Sequence, residues 1–454
     1  MKKRRSIVAA ILSLAMCSQA FALGTGSYSS ELISTRSLGE GGTGVAGTQN
    51  DPVAAYTNPA AMTALAGTQV TVGMTYANDS PSFTSGLNSN GSPLGSYAQA
   101  SQGSVSGARA TSVVVPNFAA TTQLMDGRLA LGLAAVTPYG LETHFNGDSP
   151  LRYQATDTRL RVVDVTPAAA FKIDDMFSIG AGADYYDVVE GDLEKKINVT
   201  ALNGSLGGAG GPDANSALTG NGYGWGYHLG TTIKPNEHHQ IGIVYHSSVK
   251  VALQGYQRIT GLTGNSAAVF GGSNWQDDVT APLYMPQNVQ LGYAYMPSDK
   301  TQIEVDAAWY DFYSGRQLGV DFQGLSAIQS SILNNPASNP TQFKPRRTIN
   351  FGLGADHKFS DALALRGGAY YQSSSLPESA FDAAFADLPR YAQTFGGSYK
   401  LCDAMSADFA YNAVFFHGRA VNDPAAGGSG YSGNFNSFAS LVSASLTYRS
   451  AMHF

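Results

Sequence analysis

Residues 437–454 read SFASLVSASLTYRSAMHF, and their alternation decides the fold class. Phe438, Val442, Ala444, Leu446, Tyr448, Met452 and Phe454 fall on one face of an extended chain. Ser437, Ser443, Ser445, Thr447, Arg449 and His453 fall on the other. Side chains of a strand point alternately to its two sides, so this segment has one apolar and one polar face. Two segments upstream repeat the pattern. Ile303, Val305, Ala307 and Trp309 alternate with Gln302, Glu304, Asp306 and Ala308. Ile349, Phe351, Leu353 and Ala355 alternate with Thr348, Asn350, Gly352 and Asp356. Apolar residues facing out and small or polar ones facing in is the pattern of a transmembrane β-barrel.

The other end supports an exported chain. Lys2, Lys3, Arg4 and Arg5 precede an apolar run, Ile7 to Met16, that is too short to span a bilayer, and Ala20-Phe21-Ala22 forms a small-x-small cleavage site. Residues 1–22 are therefore expected to be a signal peptide. Met16 is too large for the usual lipobox before Cys17. Cleavage would remove four of the 27 basic residues and leave 23 against 33 acidic ones, a net charge of -10. That balance disfavours nucleic acid as a partner. Only Cys402 would remain, so no intrachain disulfide is expected. No later segment reads as a membrane-spanning helix. An exported chain without one is either a soluble periplasmic protein or, in lipid, a closed barrel in which every backbone group is paired.

Tight turns divide the chain. Met125-Asp126-Gly127, Asp174-Asp175, Pro235-Asn236-Glu237, Pro297-Ser298-Asp299, Ser360-Asp361 and Cys402-Asp403 each separate two strand-like runs. Longer Gly-, Ser- and Asn-rich connections are expected near 79–109, 140–157, 190–222, 256–282, 315–345, 375–389 and 419–436. Six hairpins, an opening strand near 67–78 and the closing strand give an all-β, antiparallel barrel of about 14 strands over 67–454. Phe322, Leu325, Ile328 and Ile332 recur at helical spacing and predict a short helix in one loop, packed into the barrel mouth. Residues 23–66, with five glycines between Gly39 and Gly47 and then Asn58-Pro59-Ala60, are expected to fold into the lumen as a hatch.

The chain resembles the FadL-type outer-membrane transporters of long-chain fatty acids and toluene-like hydrocarbons. The resemblance rests on Asn58-Pro59-Ala60, Val115-Pro116-Asn117, Thr137-Pro138-Tyr139-Gly140-Leu141, Arg152-Tyr153-Gln154-Ala155, Gly224-Trp225-Gly226 and Tyr245-His246-Ser247-Ser248-Val249-Lys250, in that order. It implies fourteen strands, a hatch across the lumen, an outer groove formed by the loops at 190–222 and 256–282, and release through a lateral gap. Pro116 cannot donate to a ladder, Pro138 and Gly140 disturb the next strand, and Gly132 weakens it, so these residues are the candidates for the gap. For a fatty-acid carboxylate the candidate cations are Arg152 first, then Lys344, Arg346 and Arg347. The alternatives are an aromatic hydrocarbon importer of the same family, a general porin and a surface adhesin.

Other signals carry no site. Gly39 to Gly44 fits G-x-G-x-x-G but lacks the flanking strand and helix that nucleotide binding needs. His238 and His239 point to opposite faces, and His228 and His246 lie on different strands, so no metal is expected. No G-x-S-x-G or comparable nucleophile signature occurs, and neither an enzyme nor a cofactor is expected. The expected partners are a hydrophobic ligand, outer-membrane lipid and lipopolysaccharide, and the outer-membrane assembly machinery through Phe454. The barrel is expected to be a monomer.

Overall fold

A computed structural model describes residues 32–450, except 48–49, 86–109, 150, 316, 336–338, 340, 343–344, 378–381 and 424–430. The expected signal peptide, Lys344 and Phe454 lie outside the described residues. The wall consists of fourteen antiparallel strands. They are β1 Thr68–Ser85, β2 Thr111–Leu124, β3 Leu129–His144, β4 Asp157–Lys172, β5 Phe177–Ile197 and β6 Ala214–Asn236. Next, β7 comes in two pieces, His239–His246 and Val249–Thr260, and so does β8, Asn274–Met285 and Gln287–Ser298. The ring continues with β9 Thr301–Asp311, β10 Arg347–Lys358, β11 Leu363–Gln372, β12 Arg390–Cys402, β13 Met405–Phe416 and β14 Tyr431–Ser450. Pairing of β14 with β1, from Thr68↔Ser450 to Ser85↔Gly433, closes the sheet.

Alternation explains the wall. Val72, Met74 and Tyr76 on β1 and Phe438, Val442, Leu446 and Tyr448 on β14 point outward and are exposed to the surroundings of the ring. Such a contiguous apolar belt suits lipid and not water. Ser443 and Thr447 point inward, and Thr75 and Thr71 of β1 meet them at 2.8 and 3.1 Å. All six expected tight turns join paired strands. At one of them Asp174 Oδ1 accepts from the backbone N–H groups of Met176 and Phe177 at 2.8 and 2.7 Å.

The connections on the other side are shorter than composition suggested. Lys196 pairs with Asn215, and Asn215 in turn with Thr260, so the ladder continues through residues whose Gly and Asn content reads as loop. What remains at 198–213 and 261–273 carries the short helices Val199–Ser205 and Gly264–Phe270. The expected helix exists at Ala327–Leu333, capped by Ser326 and Gln329. It packs on the other two loop helices, with Ile332 and Leu333 against their apolar cluster and Gln329 Nε2 donating to Val269 O at 3.2 Å, and not into the barrel mouth.

Residues 32–47 and 50–65 run inside the ring and touch strands around its circumference. The wall is bare where they touch it. A Cβ at Gly242 would lie 1.8 Å from Val45 O, one at Gly230 2.3 Å from Asn58 Oδ1, and one at Gly180 2.6 Å from Ala60 N. Gly242→Val should therefore unseat this segment at a cost of about 1–3 kcal/mol, the usual penalty of overpacking. Limited proteolysis should cut the segment faster, while heat-modifiability on a gel shows an intact barrel. Unchanged cleavage would mean that the segment does not depend on this seat.

Candidate functional site

The internal segment is held mainly through its backbone. Asn58 is fully buried, and its Nδ2 donates to Val45 O at 2.7 Å and to Thr231 O at 3.2 Å. Its Oδ1 accepts from Ala60 N and so caps the 3-10 helix Pro59–Ala64, with Pro59 at the first position, where no N–H is needed. Asn58-Pro59-Ala60 is thus a folded unit seated on Gly180 and Gly230. Opposite it, Glu304 and Asp306 of β9 clasp three consecutive backbone N–H groups. Glu304 Oε1 accepts from Gly44 and Ala46 at 3.1 and 2.8 Å, and Asp306 Oδ2 accepts from Gly44 and Val45 at 2.9 and 3.0 Å. Arg36 adds an ion pair to Asp408 at 3.1 Å.

Glu40 lies beside this clasp and accepts from Gln302 Nε2 at 3.1 Å. Burial, and then the neighbouring Glu304, push its carboxyl up to about 8.

An inner cavity lies between the segment and the wall. Ile33, Val45 and Tyr56 line one side, and Pro138, Tyr139, Gln290, Tyr310, Asn350, Tyr370 and Gln372 the other. Among the described residues no Lys or Arg lines it, and Asp306 does. A second, more apolar cavity lies nearer the loop helices, among Leu160, Leu193, Leu218, Leu253, Leu283 and Phe385. Among the described residues Arg159 is the one basic side chain lining either cavity, and it is paired with Asp157 at 3.0 Å and Glu190 at 3.7 Å. The buried cluster of Tyr139, Leu141, Leu160, Val162, Tyr186, Val188, Val251 and Met285 joins the two, since Leu160 belongs to the outer cavity and Tyr139 to the inner.

The wall is incomplete beside Tyr139. Strands β2 and β3 pair only from Phe118↔Ala135 to Leu124↔Leu129. Above that, Thr111–Asn117 pairs with β1 alone, and Tyr139–His144 with β4 alone. The β3–β4 register slips between Val136 and Tyr139, where Thr137 and Pro138 bulge, and Thr137 to Leu141 are all buried. Pro116 sits on the unpaired stretch of β2, and Pro138 and Gly140 on that of β3. Gly132 does not belong to this opening. It pairs with Thr121 and Ala168, and its bare Cα admits the sulfur of Met62, which would lie 2.3 Å from a Cβ there.

The expected cations are placed less favourably. Arg152 Nε pairs with Asp213 at 3.1 Å, its other nitrogens meet Ser149 O and Tyr153 Oη, and it lines neither cavity. Arg346 is exposed. Arg347 is paired with Asp311 at 3.6 Å on the rim. Sequence reasoning missed Arg159. Its signal was Arg159 and Arg161 two residues apart on β4, hence on one face. It also missed His228 and His246, which the register sets directly opposite each other.

A closed fourteen-strand wall, apolar outside, with its own N-terminal segment and two cavities within, defines an outer-membrane transport barrel. The chain belongs to the family of outer membrane protein transport proteins (OMPP1/FadL/TodX), whose model matches residues 13–450. Members of the family carry hydrophobic compounds across the outer membrane and are not enzymes. The chain is 23% identical over 431 residues to an outer membrane protein of Neisseria meningitidis serogroup B, covering 87% of this chain and 88% of that one. Its fold is that of a Pseudomonas aeruginosa FadL homologue, with a TM-score of 0.79 at 22% identity over 93% of this chain and 100% of the other. The Ralstonia pickettii toluene transporter TbuX is similar with a TM-score of 0.65 at 20% identity, over 92% and 98%.

The Glu40 carboxyl gives the seat a pH dependence with a definite sign. Its value rises from the ordinary 4.5 to about 8 on burial, so seating is favoured while the proton is held. That contribution is complete below about 4.5 and is lost as pH rises through about 8. Proteolysis of the segment should accelerate across this window, and Glu40→Gln should flatten the profile. A profile of the same shape in the variant would assign the loss to another group.

Proposed function

We propose that this barrel imports hydrophobic small molecules by passive diffusion, with long-chain fatty acids as the first substrate class. The observation that carries this reading is the buried apolar cluster that bridges the outer and inner cavities beside the unpaired stretch of β2 and β3. A ligand would enter among the loop helices, move along Leu160, Val162 and Val188 to Tyr139, and leave sideways into the membrane. The internal segment would act as the hatch, barring the straight route to the periplasm. In this reading Arg159 takes the carboxylate in exchange for Asp157, since it lines the outer cavity and Arg152 lines neither.

The inner cavity favours a second reading. It offers the rings of Tyr56, Tyr139 and Tyr310 to a neutral aromatic ligand, while the Asp306 carboxylate and the carbonyl oxygens of Asn350 and Gln372 disfavour an anion there.

The test is a titration of the refolded, lipid-stripped barrel with oleate and with toluene, alongside planar-bilayer conductance. The expected result is saturable oleate binding and little conductance. Arg159→Ala should weaken that binding about ten-fold, the worth of one charge-assisted contact. Arg152→Ala should have less effect. Toluene binding alone would establish the second reading. Steady conductance with no binding of either would mean a porin. Replacing Pro138 and Gly140 together by Val should slow delivery and leave binding intact; unchanged delivery would place the exit elsewhere.

A further inference from the structure

A buried cluster behind the internal segment takes no part in this path. His228 is fully buried on β6, and its two ring nitrogens face two acceptors. Nε2 lies 3.0 Å from Ala55 O, a carbonyl of the internal segment, and Nδ1 lies 2.6 Å from Asp184 Oδ1 on β5. The carbonyl can only accept, so Nε2 carries a hydrogen and a neutral ring would turn the Nδ1 lone pair toward a carboxylate. At 2.6 Å the cation between Nδ1 and Asp184 is a proton, and a metal ion takes its place once the two groups part to about 3.3 Å.

His246 argues for the exchange. It is 1% exposed, and neither ring nitrogen has a hydrogen-bond partner. Leaving a buried donor and a buried acceptor unmet is costly. Its Nδ1 lies 3.9 Å from Asp184 Oδ2, and its ring stacks on that of His228 with centroids 4.9 Å apart. A proton shared by His228 and Asp184 gives His246 nothing to do. A metal ion uses all three residues, whose donor atoms lie within 4.8 Å of one another.

The geometry points to a divalent transition-metal site formed by Asp184, His228 and His246. Two imidazoles and a carboxylate suit zinc, with copper and nickel as competitors. The surroundings are those of a metal site. The His228 Nε2–H to Ala55 O bond fixes the tautomer that presents Nδ1 to the ion, and Thr166 Oγ1 holds Asp184 Oδ1 at 2.9 Å. The same threonine hydroxyl lies 3.0 Å from Asp164 Oδ1. Binding displaces the proton between His228 and Asp184 into solvent. The ion ties β5, β6 and β7 together, and through Ala55 it holds the internal segment. The Tyr56 ring, 4.9 Å from that of His246, covers the site from the segment's side.

The test uses the full-length refolded barrel, treated with chelator and then titrated with zinc and, separately, with cobalt. The expected result is one ion per chain, a ligand-field absorption spectrum of bound cobalt and slower proteolysis of the internal segment with zinc bound. His246→Leu should lower zinc affinity at least about ten-fold. Replacing His238 and His239 by Ala, on an exposed turn, should not change it. Should His246→Leu fail to give a folded barrel, Asp184→Asn, which keeps the volume, serves instead, and the cobalt spectrum of the unaltered protein needs no variant. Absence of stoichiometric zinc on the folded protein overturns the proposal. So does binding that depends on His238 and His239 and survives loss of His246.

Discussion

Inside a bilayer no water is available to pair a backbone N–H or C=O, and this one requirement governs the molecule. It forces the sheet to close, which Tyr431–Ser450 does against Thr68–Ser85. It also makes any break in the ladder costly, so the unpaired stretch between β2 and β3 must be managed locally. Here β3 bulges at Thr137 and Pro138 and buries both of its faces through Leu141, while β2 keeps its full ladder to β1. Proline at 116 and 138 lies where a missing N–H costs least.

The interior follows a different logic. A segment of the same chain lies against the wall by backbone contact, which needs glycine on the wall and carboxylates aimed at N–H groups. Gly180, Gly230 and Gly242 give the space, and Glu304 and Asp306 give the acceptors. Side chains of the segment are thereby left to shape the inner cavity, as Ile33 and Tyr56 do. Between the outer cavity and the inner one lies a buried cluster of mostly aliphatic residues.

The fold was largely legible because its signals are local. Asp, Gly and Pro mark the turns, and the two-residue period of 437–450 marks which face meets lipid. The inward face was harder to interpret. Small and polar residues there suit an aqueous lumen equally well, so Glu304 and Asp306 read as pore lining when they in fact grip the N-terminal segment. Arg152 had the chemistry of a carboxylate site, but Asp213, distant in sequence, claims it. The pairing of His228 with His246 was within reach. Each lies nine residues from Glu237 in the tight turn, and a hairpin folds such residues onto each other. Asp184 could not be added in that way, since its approach depends on the longer connection between β5 and β6.

The ion pair of Arg36 with Asp408 joins residues near the two ends of the chain. The segment made first therefore has no complete seat until nearly the last strand is in place. Until then its glycines and its unpaired N–H groups have nothing to rest on. Loop-closure entropy over that separation is overcome only once the ring exists to receive the segment. A seat shared by residues 36 and 408 makes the interior and the late strands of the wall depend on each other.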